Sequence, residues 1–440
     1  CSPNTGHNLI QSNQIGVDAT GAYAIMNHYH GIALDGGAQH NSLVDNLVSG
    51  NGNQGIALWG SETTANLIED NTIGANAAGD APLGNGNDGL HLSDWTHDNT
   101  AVNNLISGNH EAGVRLTAYS NHNTLSGNLI GTDASGMGPL AAAQTAVSTP
   151  HQSVCPNPEN DPRTAAESLC ENEKVADEGV TAVNNTLSGI YLTGGAHQNT
   201  IGLGNTIAFN GEAGVLVEGG DTVQNTITQN GIFANSGPGI QLRDGGNIQL
   251  AAPRISSSDL PGGTAVGTAC ANCIVEVFSD DGEEGRIYEG TTTADAAGNW
   301  ALNAGHAFTG PNLTATATDA NGNTSSFSAL FQILWVNLGL DHTRWALERL
   351  GLSYTEVAVA DIGTVNLDEY DVLFVGSTFN WVPPDIYQPL LDHQADIAAY
   401  VQNGGNLVVL SNGGDWGNNA TPLDWAWVPV DLTHYGQTRR

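Results

Sequence analysis

His91, Arg115 and Tyr191 each stand at the third place of a tetrad Gly–apolar–x–apolar, and Trp59 directly follows another copy of it. Aromatic faces stack on sugar rings, while arginine and histidine hold hydroxyls or carboxylates. These four residues are the candidate carbohydrate-binding set. Catalysis is harder to place. Proton abstraction from a sugar by Arg115 would need a cation held by several carboxylates, and no aspartate cluster stands near it. Hydrolysis of a glycosidic bond needs two carboxylates across the bond. Asp94 and Asp98, around Trp95 and His97, come nearest, but neighbouring turn residues of this kind read as solvated caps. His28 and His30 with Asp35 are similarly placed. No residue is therefore assigned a catalytic role, and no metal ligand is assigned.

The five cysteines are Cys1, Cys155, Cys170, Cys270 and Cys273, two close pairs and one left over. Close pairs fit an exported protein in an oxidising compartment. Cys155 and Cys170 are expected to close a proline-bearing insertion, and Cys270 with Cys273 to form a small structural disulfide. The latter pair precedes a β-branched run, whereas a redox pair of this spacing opens a helix. A second pair that would complete a zinc site is missing. Cys1 reads as the cut edge of a longer chain, with a lipid-modified terminus as the alternative.

What positions these residues is a repeat. The tetrad recurs with glycines at Gly31, Gly55, Gly89, Gly113, Gly189, Gly214 and Gly239, spaced 24, 34, 24, 76, 25 and 25 apart. A unit of about 24 residues is thus interrupted twice, the longer insertion running over about 141–178. Between tetrads lies Asn–x–apolar–x–x–Asn, as in Asn41…Asn46, Asn66…Asn71, Asn99…Asn104, Asn123…Asn128 and Asn225…Asn230, and one residue longer in Asn199…Asn205. Short β-branched segments punctuated by glycine read as strands. A strand of three to five residues cannot bury its face alone, but stacked copies can. Asparagine carries both donor and acceptor, so each can bond its equivalent one coil on. In the tetrad the apolar residues face inward and x faces out. The x column reads Ala33, Ala57, His91, Arg115, Tyr191, Leu216, Gln241, and a second outward column holds Asp35, Trp59, Ser93, Thr117, Thr193, Glu218 and Arg243.

With these motifs, residues 1–250 resemble the right-handed parallel β-helix repeats of bacterial surface proteins. The resemblance implies a mainly β fold and leaves function open, because enzymes and passive stalks share it. Three longer turns, Ile15–Gly21, Ile73–Gly79 and Ile130–Gly136, each carry one Asp or Asn. They read as plain turns, with Ca²⁺ as the alternative. Residues 251–331 resemble a bacterial immunoglobulin-like β-sandwich, on Gly267–Val277 and the closing Thr318–Ser325. Asp319, Asn321 and Asn323 there read as a hairpin turn rather than a calcium loop. Residues 332–440 alternate strand and helix, which implies a parallel α/β sheet. The run Tyr400–Leu410 resembles class I glutamine amidotransferase-like, flavodoxin-type domains. Those enzymes need a cysteine nucleophile, and no cysteine lies beyond Cys273, so the activity does not carry over and the domain reads as incomplete.

The chain has 440 residues, 56 of them glycine, and a formal net charge of −35 with only 12% charged residues. Lys174 is the only lysine. That balance argues against nucleic acid as partner. No apolar run reaches the roughly 18 residues of a membrane span, and no basic-then-apolar leader is present. Together these readings predict an extracellular or cell-surface repeat protein without a cofactor. It would present a β-helix face to a polysaccharide or surface glycan and would be non-catalytic. The alternatives are a polysaccharide lyase or glycoside hydrolase working between Trp59 and Tyr191, and a filament or surface-layer subunit associating through the ends of the β-helix.

Overall fold

The structure, a computed structural model, describes residues 6–141, 184–329 and, with short breaks, 333–409. Most of the insertion, including Cys155 and Cys170, lies outside the described residues, as does Cys1. Two compact units form, residues 1–328 and 329–440.

The first unit is built on a parallel β-helix of seven coils. Each coil gives one short strand to each of three seven-stranded parallel sheets. Coil four shows the logic. Thr100–Val102 turns Ala101 inward, Leu105–Ile106 turns Ile106 inward, and Val114–Leu116 turns both ends inward and Arg115 out. Alternation along a strand puts neighbours on opposite faces, so three to five apolar residues per coil suffice to fill the interior. The stacked interior is one continuous cluster from Ile32 to Ile240.

The corners are held by asparagine. Asn8, Asn41, Asn66, Asn99, Asn123, Asn199 and Asn225 form one column, each Nδ2 donating to the next Oδ1 at 2.8–3.1 Å. Asn13, Asn46, Asn71, Asn104, Asn128, Asn205 and Asn230 form a second. A third, with no counterpart in the two-asparagine motif, runs through Asn27, Asn51, Asn85, Asn109, Asn185, Asn210 and Asn235. Bends that would strand buried backbone groups are thereby satisfied.

Residues 254–318 form two three-stranded antiparallel sheets around Val275, Val277, Trp300, Leu302 and Ala315. The resulting sandwich is seated on coil seven. Glu284 accepts from Asn235 N and Nδ2, taking the place of the next asparagine in the third column. Glu276 accepts from Thr228 Oγ1 and Gln229 N, and Asn323 and Thr324 accept from Gln224 N and Ile227 N. Several backbone groups at the edge of the last coil are therefore engaged within the chain.

The second unit is a four-stranded parallel sheet, ordered Tyr354–Ala358, Ile333–Asn337, Val372–Val375, Asn406–Val409. Between its third and fourth strands lie two helices, Gln388–Asp392 and Gln394–Gln402, divided at His393.

Candidate binding face

The third sheet carries the candidate residues. Strand register places Ala57, His91, Arg115, Tyr191, Leu216 and Gln241 side by side in successive coils. Trp59 sits in the next outward column, beside Ser93, with its ring 5.3 Å from that of His30. The structure thus joins His91, Arg115 and Tyr191 into one row and sets Trp59 to the side of it.

The row is not a bare sheet. Ala57 and Leu216 point outward yet are buried, and between them the polar side chains bond along the face. Asp88, buried and one place before the tetrad glycine, accepts from Arg115 Nε at 2.9 and 3.0 Å and pairs with His91 Nδ1 at 2.9 Å. Arg115 Nη2 donates to Glu111 at 2.8 Å, and its guanidinium lies 4.8 Å over the Tyr191 ring. The Tyr191 hydroxyl donates to Glu218, which also accepts from Arg243 Nε at 2.8 Å. One polar chain therefore spans five coils. Among the described residues of the β-helix, Arg115 and Arg243 are the only lysine or arginine side chains, and both belong to it.

The electrostatics follow from this wiring. Burial would raise the Asp88 carboxyl, but His91 and Arg115 outweigh it and hold it below the ordinary value. Burial would lower Arg115, but Asp88 and Glu111 hold it above its usual value. Burial and Glu218 push the Tyr191 phenol up. Arg115 stays protonated and Tyr191 keeps its proton, so neither is poised as a base. What the face offers is fixed hydrogen-bonding groups beside aromatic rings.

The remaining sequence candidates separate. Asp94 and Asp98 both take left-handed backbone conformations in the following turn, and Asp98 bonds the His97 ring at 2.7 Å. His28 meets Tyr29 edge-on, while His30 packs on Trp59 and burial lowers its pKa. In the long turns Asp18 accepts from Thr20, Ala22 and Tyr23, Asn76 bonds Asp80, and Asp133 bonds Ser135. Those turns also stack, Ala77 N on Gly21 O and Ala134 N on Gly79 O. Asp319 accepts from Asn321 and Asn323, closing a hairpin. Cys270 and Cys273 are joined in a disulfide. Among the described residues, no three His, Cys, Asp or Glu side chains gather in a group able to hold a metal ion.

Sequence reasoning missed Asp88. Its signal is position: the column before the tetrad glycine reads His30, Gln54, Asp88, Ala112, Ser188, Ala213, Pro238, with a single carboxylate. It also missed the turn that leaves the face. Asp35–Ala38, Ser93–Thr96, Thr117–Ser120 and Thr193–Ala196 each close with an i+3 to i backbone bond, and both central residues have positive φ. This is the type I′ geometry, which glycine, asparagine and aspartate adopt cheaply. Coils one and five use Gly36-Gly37 and Gly194-Gly195. Coils three and four use Asp94-Trp95 and Ala118-Tyr119, with φ of 54°, 66°, 45° and 63°. A left-handed conformation costs roughly 1–2 kcal/mol for an ordinary residue. The Trp95 and Tyr119 rings stack at 4.5 Å and 14°, and such a pair contributes about 0.5–1.5 kcal/mol. The stack does not offset three strained residues.

Residues 4–135 match the family described as periplasmic copper-binding protein (NosD). Among solved structures, the A-module of mannuronan C-5 epimerase from Azotobacter vinelandii is similar, with 17% identity and a TM-score of 0.34 over 56% of this chain and 52% of that one. Tailspike protein 2 of the Escherichia coli O157:H7 bacteriophage CAB120 is similar at 10% identity and a TM-score of 0.25, over 73% of this chain and 64% of that one. The chain thus spans about half the length of the first and under two thirds of the second. No curated protein matches the chain. Among the described residues, no helix is long and apolar enough to cross a membrane.

Proposed function

We propose that this chain is an extracytoplasmic binding protein whose third β-helix sheet holds a carbohydrate without transforming it. The observation that carries this reading is the row His91–Arg115–Tyr191, locked by the buried Asp88 and continued through Glu218 to Arg243. Fixed donors beside aromatic rings suit hydroxyl-rich ligands, because their positions are set before the ligand arrives. The Cys270–Cys273 disulfide supports an oxidising compartment. Arg115, the base that the lyase alternative calls on, is held protonated by two carboxylates.

Copper does not fit the residues present. Between residues 4 and 135 the nearest approaches are the parallel His7–His40 rings, 5.1 Å apart, and the pairs His91–Asp88 and His97–Asp98. His91 is engaged by Asp88 and His97 by Asp98, and among the described residues no third His, Cys, Asp or Glu joins either pair. No part of the proposal runs through a metal.

Tyr191→Ala and Arg115→Ala are each expected to weaken glycan binding by at least about tenfold, the usual cost of removing a central aromatic or arginine contact. Titration calorimetry against a polysaccharide panel measures this. Reducing-end or unsaturated-sugar release by the wild-type protein, abolished by Arg115→Ala, would overturn the non-catalytic reading.

A further inference from the structure

Trp95 and Tyr119 stand where the repeat asks for glycine. Four coils leave the third sheet through the same type I′ turn, and two fill its central positions with Gly-Gly. In coils three and four an indole and a phenol take the second left-handed position, on backbone that neither residue favours. Burial is not the compensation, because Trp95 is 51% exposed and Tyr119 41%. The rings are nonetheless held firmly. Trp95 N donates to Ala118 O at 2.9 Å and Tyr119 N to Gly194 O at 3.0 Å, so the turns are bonded coil to coil. A Cβ at Gly195 would lie 2.5 Å from the Tyr119 ring, so that glycine makes room for it. Tyr119 is backed by Gly195 and Trp95 in turn, and the half-exposed Trp95 ends the stack.

We infer that this stack is a second carbohydrate contact, with Trp95 as the sugar-facing ring and Tyr119 as its support. It follows the same strands that carry His91 and Arg115, four residues on in each coil. Charge narrows the ligand class. Asp94 adjoins Trp95, and Asp98 follows with its carboxylate largely exposed. On the face itself Arg115 and Arg243 already bond Asp88, Glu111 and Glu218. A uronate would meet the carboxylates of Asp94 and of Asp98, the latter paired with His97, and arginines already engaged by carboxylates, whereas an uncharged pyranose can stack on the indole and donate its hydroxyls to the aspartates. The ligand is a neutral oligosaccharide. The choice of carbohydrate rests on the reading of the face proposed above; the role of the stack rests on its turn chemistry.

The test restores the repeat. A Trp95→Gly/Tyr119→Gly variant puts glycine where coils one and five have it, and is expected to unfold at the same or a higher temperature than wild type. Its affinity for neutral hexaoses (β-1,4-glucan, β-1,3-glucan, xylan and mannan) should fall at least tenfold by calorimetry. Arg115→Ala is measured beside it. If the glycine variant binds normally while Arg115→Ala does not, the stack plays no part and the face reading stands. If only the glycine variant loses binding, the stack is the site and the face reading fails. Earlier unfolding with unchanged affinity makes the stack a structural ladder and overturns the inference. So do preferential binding of polygalacturonate or alginate hexaoses, absence of binding to every neutral hexaose, and a wild-type dimer that the glycine variant dissolves in sedimentation velocity.

Discussion

Replacing Asn104 with alanine is expected to lower the unfolding free energy by about 3–4 kcal/mol, read as a shift of the urea midpoint at unchanged slope. Asn104 is fully buried in the second asparagine column. Its Nδ2 donates to Asn128 Oδ1, Ile68 O and Val102 O, and its Oδ1 accepts from both the backbone N and the Nδ2 of Asn71. Alanine can make none of these bonds. The Asn71 amide and the Ile68 carbonyl are left in the interior with no water to replace the lost partner, and each such group costs about 1–3 kcal/mol. A small cavity adds to the loss. Asn121 supplies the control. It is half-buried, its Nδ2 donates to Tyr119 O two residues away and its Oδ1 bonds the ring of the adjacent, exposed His122, so only local surface bonds are lost and Asn121→Ala should stay within about 0.5 kcal/mol of wild type. Equal effects at the two positions would remove the columns from the account of stability.

The same columns show what the sequence can and cannot say. The first two were legible because both asparagines flank one apolar position, so the spacing names a strand. The third lies four residues before each tetrad glycine, at Asn27, Asn51, Asn85, Asn109, Asn185, Asn210 and Asn235, so it shares the tetrad's period, but it stands in a bend as a lone asparagine and outside the motif whose spacing names a strand. The row His91–Arg115–Tyr191 followed from counting along the tetrad, since parallel stacking preserves register. That its members are tied to one another did not follow. A count along a strand gives which residues share a face, whereas Asp88 enters from the bend before the strand and Glu218 from the neighbouring column. The sandwich's seat on coil seven was likewise illegible: it depends on Glu276 and Glu284 meeting Thr228 and Asn235, pairs roughly fifty residues apart whose bonds no local pattern encodes.

That seat carries the second large effect, a loss of stability as the pH rises toward neutrality. Burial at the junction pushes the Glu284 carboxyl up to about 7 from 4.5, against the pull of its Asn235 donors and with Asp280 adding to the rise. Burial raises Glu276, Asp280 and Glu283 as well. A carboxyl raised by folding holds its proton in the folded chain at a pH where the unfolded chain has released it. Its contribution is complete below pH 4.5, the ordinary value, and is lost as the pH climbs through about 7. For Glu284 the loss is on the order of 3 kcal/mol, at about 1.36 kcal/mol for each unit between the two values. Carboxyls lowered by folding, Asp88 among them, act oppositely and weaken the fold only on acidification below their ordinary range. The unfolding free energy should therefore be greatest near pH 4–5 and fall toward pH 8. Repulsion within a chain of net charge −35 slopes the same way, so the wild-type profile alone does not isolate the junction. Glu284→Gln does. Glutamine keeps an acceptor for one Asn235 donor and carries no charge at any pH, so the variant should lose most of the slope between pH 4.5 and 7 while retaining the shallower decline from general repulsion. Urea titrations at half-unit pH steps measure both profiles. Parallel curves for the two proteins would mean that Glu284 ionises freely at the junction, and that the sandwich caps the β-helix without coupling its hold to pH.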